Sequence, residues 1–317
     1  MNMKSMISFA YQQASPHKNN KSIYNIIIGK KTHQTLFDAT SLQLLSLYGC
    51  APHISFEQFE ALISKPLTNH VDIPTSTHIT YPILQQSFVV LQLLIQTLSQ
   101  AEHEQLKFVP LTSQIDVHQQ VRQIYQYIKT NHAIDATKAE IYCLFKRLND
   151  LHPESTAHYY LSGYDETMYT QRQVGQVTGL DEDALTLSHY VDILTLYQLL
   201  SDETQFPVLH HCLVSLPISH TLQRSLAHLL EGWTVAQIAQ HTQRTENTIY
   251  DHVLELFMRN YLTCYDQYFR EDIHAFITFY MQEPYQRLRY YKAHFEQLSY
   301  FEIKLAIIGI VKGDLHA

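Results

Sequence analysis

Trp233-Thr234-Val235-Ala236-Gln237-Ile238-Ala239-Gln240-His241-Thr242 aligns without gaps on Tyr169-Thr170-Gln171-Arg172-Gln173-Val174-Gly175-Gln176-Val177-Thr178. Each copy opens with Thr-x-x-Gln, a pair whose side chains satisfy each other's backbone N–H groups at a helix start. Each carries a small residue in mid-helix, Gly175 or Ala239, where a second helix crossing steeply can pass close over it. A turn follows, and then an acidic helix start at Asp181-Glu182-Asp183 or Thr245-Glu246. This is the grammar of a helix-turn-helix. In the C-terminal copy Thr245 is the expected N-cap of the second helix, and Ile238 and Ile249 are the expected core contact. In the middle copy Gly179 stands where a tight turn wants a left-handed residue, and Gln243 occupies that place in the other. The middle copy has two readings: a second helix-turn-helix-like unit, or two amphipathic helices joined by a short turn.

Working outward, the rest of the chain also reads as helix. Only 8 of 317 residues are glycine, which disfavours sheet folds that depend on glycine-rich turns. Ser55 with Gln58 predicts a capping box opening a helix over Phe56–Ile63. Leucines 36, 44, 45 and 47 suggest a short helix before it. Longer helices are expected over 83–105, 117–130 and 136–149, with a proline-marked loop over 65–82. The predicted fold class is all-α and multi-helical. Three consecutive regions are expected: 1–110, a middle helical domain over 111–216, and a C-terminal helix-turn-helix domain over 217–317.

Lys+Arg 22 against Asp+Glu 30 gives a net charge of −8, which does not suit a duplex-DNA binder taken as a whole. The charge is uneven. Residues 1–37 contain Lys4, Lys18, Lys21, Lys30 and Lys31 and no acid, whereas residues 221–317 carry nine basic and eleven acidic residues. The four cysteines, Cys50, Cys143, Cys212 and Cys264, lack zinc-ligand spacing and read as buried reduced thiols. No secretory h-region and no membrane-length apolar run is present, so a cytoplasmic protein without a membrane partner is expected.

Enzyme motifs fail one by one. Gly29-Lys30-Lys31-Thr32 resembles the end of a phosphate loop, but the upstream glycine position is Tyr24. His103-Glu104 is followed by Lys107 where a zincin needs histidine. His210-His211 has no acid or cysteine at ligand spacing, and there is no Gly-x-Ser-x-Gly elbow. No catalytic residue, metal site, cofactor or small-molecule substrate is expected, and the chain is read as a non-enzyme.

Three further stretches carry a resemblance. They are Leu229-Leu230-Glu231-Gly232-Trp233-Thr234-Val235-Ala236-Gln237-Ile238-Ala239, Asn247-Thr248-Ile249-Tyr250-Asp251-His252-Val253-Leu254-Glu255-Leu256 and Leu298-Ser299-Tyr300-Phe301-Glu302-Ile303-Lys304-Leu305. Together they resemble the helix-turn-helix domain appended to the C-terminus of RecQ-type DNA helicases, which also occurs in free-standing YpbB-like bacterial proteins. The resemblance implies a helicase accessory protein acting in DNA repair or recombination, with a RecQ-type DNA helicase as partner.

Which surface would meet that partner depends on the second helix. With Ile249 inward, its opposite face presents Asn247, Asp251, Leu254, Glu255 and Met258, with two acids and no base. Carboxylates facing phosphates repel them, so this stripe is read as a protein-docking face. The competing reading buries it against the protein's own closing helix near 303–310. The alternative function is a DNA-binding regulator using the motif directly, with DNA bound weakly at most. Arg244, Thr245 and Tyr250, with Arg287, Arg289 and Lys292 in a basic-aromatic stretch, are the candidate nucleic-acid contacts.

Overall fold

The computed structural model describes residues 3–64, 72–215 and 218–316, and no strand occurs among them. The chain forms two compact units. One comprises Met1–Met6 with Pro82–Ser215, and the other Ile7–Tyr81 with Leu216–Ala317. In chain order the first helices are α1 (Lys4–Ala14), α2 (Asn20–Ile27), α3 (His33–Ser41), α4 (Phe56–Ile63) and α5 (Tyr81–Glu102). Next come α6 (Ile115–Thr130), α7 (Ile134–Leu151), α8 (Gln171–Thr178), α9 (Glu182–Leu200) and α10 (His220–Leu230). The last are α11 (Val235–Thr242), α12 (Glu246–Met258), α13 (His274–Gln282), α14 (Leu288–His294) and α15 (Tyr300–Lys312).

The fold class is all-helical, as the sequence predicts. Helix α4 has the expected bounds and the Ser55–Gln58 capping box. Helices α5, α6 and α7 begin two residues ahead of their expected starts. Of the expected 65–82 loop, residues 65–71 lie outside the described residues, and 72–80 are non-helical. Cys50 and Cys212 are buried, but Cys143 is half-buried and Cys264 exposed.

The organisation into units departs from the three consecutive regions. Helices α2, α3 and α4 belong with the C-terminal helices rather than with a separate N-terminal region. The physical reason lies in α12 and α15. They carry more apolar surface than α10 and α11 can cover, and α3 packs against both of them.

The two sequence copies fold alike at their starts. Thr170 N–H donates to Gln173 Oε1 at 2.8 Å, and Thr234 N–H donates to Gln237 Oε1 at 2.8 Å. The turns also agree: Gly179 (φ 74°) and Gln243 (φ 54°) are both left-handed. In the middle copy a Cβ on Gly175 would lie 3.1 Å from the Leu180 carbonyl oxygen, so close packing of α8 on the following turn favours glycine there.

Asp192 and His189 are among the polar residues buried inside the unit formed largely by 82–215. Asp192, in the middle of apolar α9, is fully buried; it lies 2.6 Å from His152 Nδ1 and accepts from the Thr156 N–H at 2.8 Å. These contacts tie the end of α7 and the following turn to α9. Burial pushes the Asp192 carboxyl upward in pKa. His189 packs edge-on against the Phe88 and Tyr160 rings, and its Nδ1 has no hydrogen-bond partner among the described residues. Burial lowers its pKa from 6.5 to about 4.

A histidine whose folded pKa is depressed stabilises the fold fully above its unfolded value. That contribution is lost as pH falls from 6.5 toward 4. The loss amounts to roughly 3 kcal/mol. His189→Phe should therefore flatten this part of the acid limb. The check is thermal melting of wild type and variant at neutral pH and near pH 4.5, where the wild type should lose more of its melting temperature.

Candidate partner-binding site

Helix α12 starts where Thr245 accepts from the Thr248 N–H. It ends at Met258, and Asn260, with a left-handed φ of 65°, turns the chain away from it. The end is closed by a buried cation from α15: the Lys312 ammonium donates to the Phe257 carbonyl at 2.6 Å and to Asn260 Oδ1 at 2.5 Å. A cation at the carbonyl end of a helix is favoured by the helix dipole. Burial lowers the Lys312 pKa.

Between these ends α12 is enclosed. It packs against α3, α10, α11 and α15. Ile238 and Ile249 are both fully buried and make the contact between α11 and α12 that the sequence predicts. On the opposite side the expectation fails. Leu254 and Met258 are each 1% exposed, so they are core rather than interface anchors. Asp251 is half-buried with His33 Nδ1 of α3 3.6 Å away, and Glu255 accepts from Arg259 Nε at 2.7 Å. Burial lowers the His33 pKa against the opposing pull of Asp251 and Glu255. Of the five-residue stripe only Asn247 remains exposed. The competing reading, burial by the closing helix, is the closer one, although it takes α3 as well as α15 to cover the face.

The candidate nucleic-acid contacts also divide. Thr245 is used as a helix cap, and Tyr250 lies half-buried with its ring 4.4 Å from that of Phe301. The Lys292 ammonium donates to the carbonyls of Glu296 and Leu298 at 2.6 and 2.8 Å, so it closes its own loop rather than facing a phosphate. Arg244, Arg287 and Arg289 are exposed.

What α12 leaves open is its first turn. The starts of α11, α12 and α15 border one groove of about 760 Å³. Its walls include Trp233, Asn247, Tyr250, Tyr268, Arg270 and Tyr300. Trp233 is held by stacking on His228, with centroids 4.5 Å apart. Glu302 faces inward: its carboxylate accepts from the Ser299 N–H at 2.8 Å, the Ser299 hydroxyl at 2.6 Å and the Arg270 N–H at 3.1 Å. Burial alone would raise its pKa, but these bonds outweigh that and hold it below the usual carboxylate value. Glu246 and Arg270, of opposite sign, are the other charged residues of the wall. Tyr268 and Arg270 escaped the sequence reading because they sit in an irregular segment whose approach to α12 no local pattern encodes.

A family model described as a helix-turn-helix domain matches residues 221–307. The match runs from α10 into α15, so the C-terminal part of this chain is a helix-turn-helix domain that includes its closing helix. No match was found among curated proteins or among solved structures.

Leu254→Asp should unfold the C-terminal unit, because a buried carboxylate without a partner costs more than about 4 kcal/mol. Asp251→Lys combined with Glu255→Lys should lower stability by about 1 kcal/mol, since Arg259 loses its acceptor. Asn247→Arg should stay within about 0.5 kcal/mol of wild type. Denaturant titrations of the full chain measure all three.

Proposed function

We propose that this chain is a non-enzymatic accessory protein that docks onto a RecQ-type DNA helicase in the cytoplasm and acts with it in DNA repair or recombination. The observation that carries the docking reading is the enclosure of α12. A helix that reads duplex DNA must lay an exposed face into the major groove. Here four helices surround α12; its exposed residues lie in its first turn, and beyond it Asp251, His252 and Glu255 are only partly exposed. The exposed end lies in a groove whose wall holds Trp, Tyr and Arg, the side chains that dominate protein–protein hot spots. One acid and one base at the rim suit a protein surface better than a polyanion. The helicase as partner is supported by the resemblance of Leu229–Ala239, Asn247–Leu256 and Leu298–Leu305 to the domain that such helicases carry.

The test is capture of a purified RecQ-type helicase by the full chain, followed by unwinding assays with and without it. Asn247→Arg combined with Tyr300→Ala, both at exposed positions of the groove, should weaken capture at least about tenfold with an unchanged melting temperature; a 1.4 kcal/mol loss suffices. Undiminished capture by this variant would remove the groove from the proposal. Sequence-selective duplex binding at physiological salt, abolished by Arg244→Glu, would instead establish the direct DNA regulator.

A further inference from the structure

Outside the groove, the C-terminal unit brings together three segments that are remote in sequence. His17 and Lys18 follow α1, Gln34 and Phe37 lie on α3, and Tyr285 and Arg287 lie between α13 and α14. They line a small cleft of about 60 Å³ that has no Asp or Glu in its wall. Lys18 belongs to the acid-free, lysine-rich stretch 1–37. Asp38 beneath the cleft is buried and already occupied: it accepts from Lys18 Nζ at 2.6 Å and from Gln34 Nε2 at 2.9 Å. Lys18 spends one of its three N–H donors there and remains 29% exposed. Arg287 and Arg289 are exposed and form no ion pair with a carboxylate among the described residues.

Tyr285 is the unusual member. It follows Pro284 with φ 65°, a left-handed position that turns normally give to glycine or asparagine. The strained residue is held in place from outside its own turn. Gln43, itself at φ 58°, donates from Nε2 to the Tyr285 hydroxyl at 3.0 Å, and the His17 ring lies 5.2 Å away. Strain kept by outside support points to a use for the side chain. Beyond it, Tyr290 and His294 form a second ring pair with centroids 4.5 Å apart. Glu283 accepts from the Tyr290 hydroxyl at 2.9 Å.

We propose that this cleft binds single-stranded nucleic acid, with Lys18, Arg287 and Arg289 on the phosphates and Tyr285 and His17 stacking on bases. Two arginines without a carboxylate partner, and a lysine that keeps free N–H donors, beside half-exposed rings are what a single strand needs, because every base has a face to stack and the backbone supplies the charge. A duplex hides those faces. In a chain of net charge −8, a polyanion is attracted only where cations cluster locally. The site is separate from the groove at α12 and stands whether or not a helicase docks there.

The test is fluorescence anisotropy of the full chain with a labelled thymidine oligomer of about 20 nucleotides, across salt concentrations from about 50 mM upward. Arg287→Glu with Arg289→Glu should weaken binding at least about tenfold and lower the salt slope by about 1.4, or 0.7 for each of two phosphate contacts. Tyr285→Ala should weaken binding about threefold or more and leave the slope unchanged, as loss of stacking does. Arg122→Glu with Lys146→Glu, the same charge change at exposed positions of the other unit, should stay close to wild type. Three results would overturn the proposal: no binding by the wild type at low salt, equal weakening by the two charge-reversed pairs, or equally tight binding of a duplex of the same length.

Discussion

Helix α12 is apolar on most of its circumference: Ile249, Val253, Leu254, Leu256, Phe257 and Met258 are all buried. A helix of that kind cannot rest on one neighbour and must be enclosed. The helix-turn-helix pair supplies only part of the enclosure, through α11 and α10. Helices α15 and α3 supply the rest. The buried Lys312 ammonium on the Phe257 carbonyl, near the end of α12, fixes α15 at one end, and His33 beside Asp251 sets the first turn of α3 against its middle. The joining of 7–81 to the C-terminal helices follows from the same requirement.

Enclosure changes what a helix-turn-helix can do. The motif retains the local geometry of its class, with capped helices and a left-handed turn, but its second helix has become the centre of a larger core. On the proposed reading, recognition passes from the helix face to the helix ends. The groove at the starts of α11, α12 and α15 offers aromatic anchors and nearly balanced charge. The cleft at Lys18 and Arg287 offers cations beside tilted rings. The two surfaces differ in chemistry, one aromatic with nearly balanced charge and the other cationic, and the protein and the polyanion proposed for them would not compete.

Charge patterning supports that separation. The acid-free stretch 1–37 reads in sequence as a basic arm, yet its lysines do not act together. Lys21 sits over the Tyr24 and Phe56 rings, whereas Lys18 pairs with Asp38 at the cleft. Local pairing decides which cations remain available to a partner, and net charge alone does not report it.

Features with a local cause were determined by the sequence itself. The Thr-x-x-Gln boxes, the Ser55–Gln58 box, the Thr245 cap, the left-handed turn at Gly179 and the Ile238–Ile249 contact each depend on residues a few positions apart or on helix periodicity. The all-helical class follows from scarce glycine and the same periodicity. The candidate site was far less legible. Helical periodicity identifies Leu254 and Met258 as lying on one face but is silent on what covers that face. Only the tertiary structure brings in α3, more than two hundred residues away, and turns the apolar members of the supposed docking stripe, Leu254 and Met258, into core. Likewise the meeting of Lys18 with Arg287, and of Tyr268 and Arg270 with Trp233, is a matter of chain packing. Capping and turn chemistry act over one helical turn, whereas the choice of which apolar faces meet is made by the whole buried surface at once.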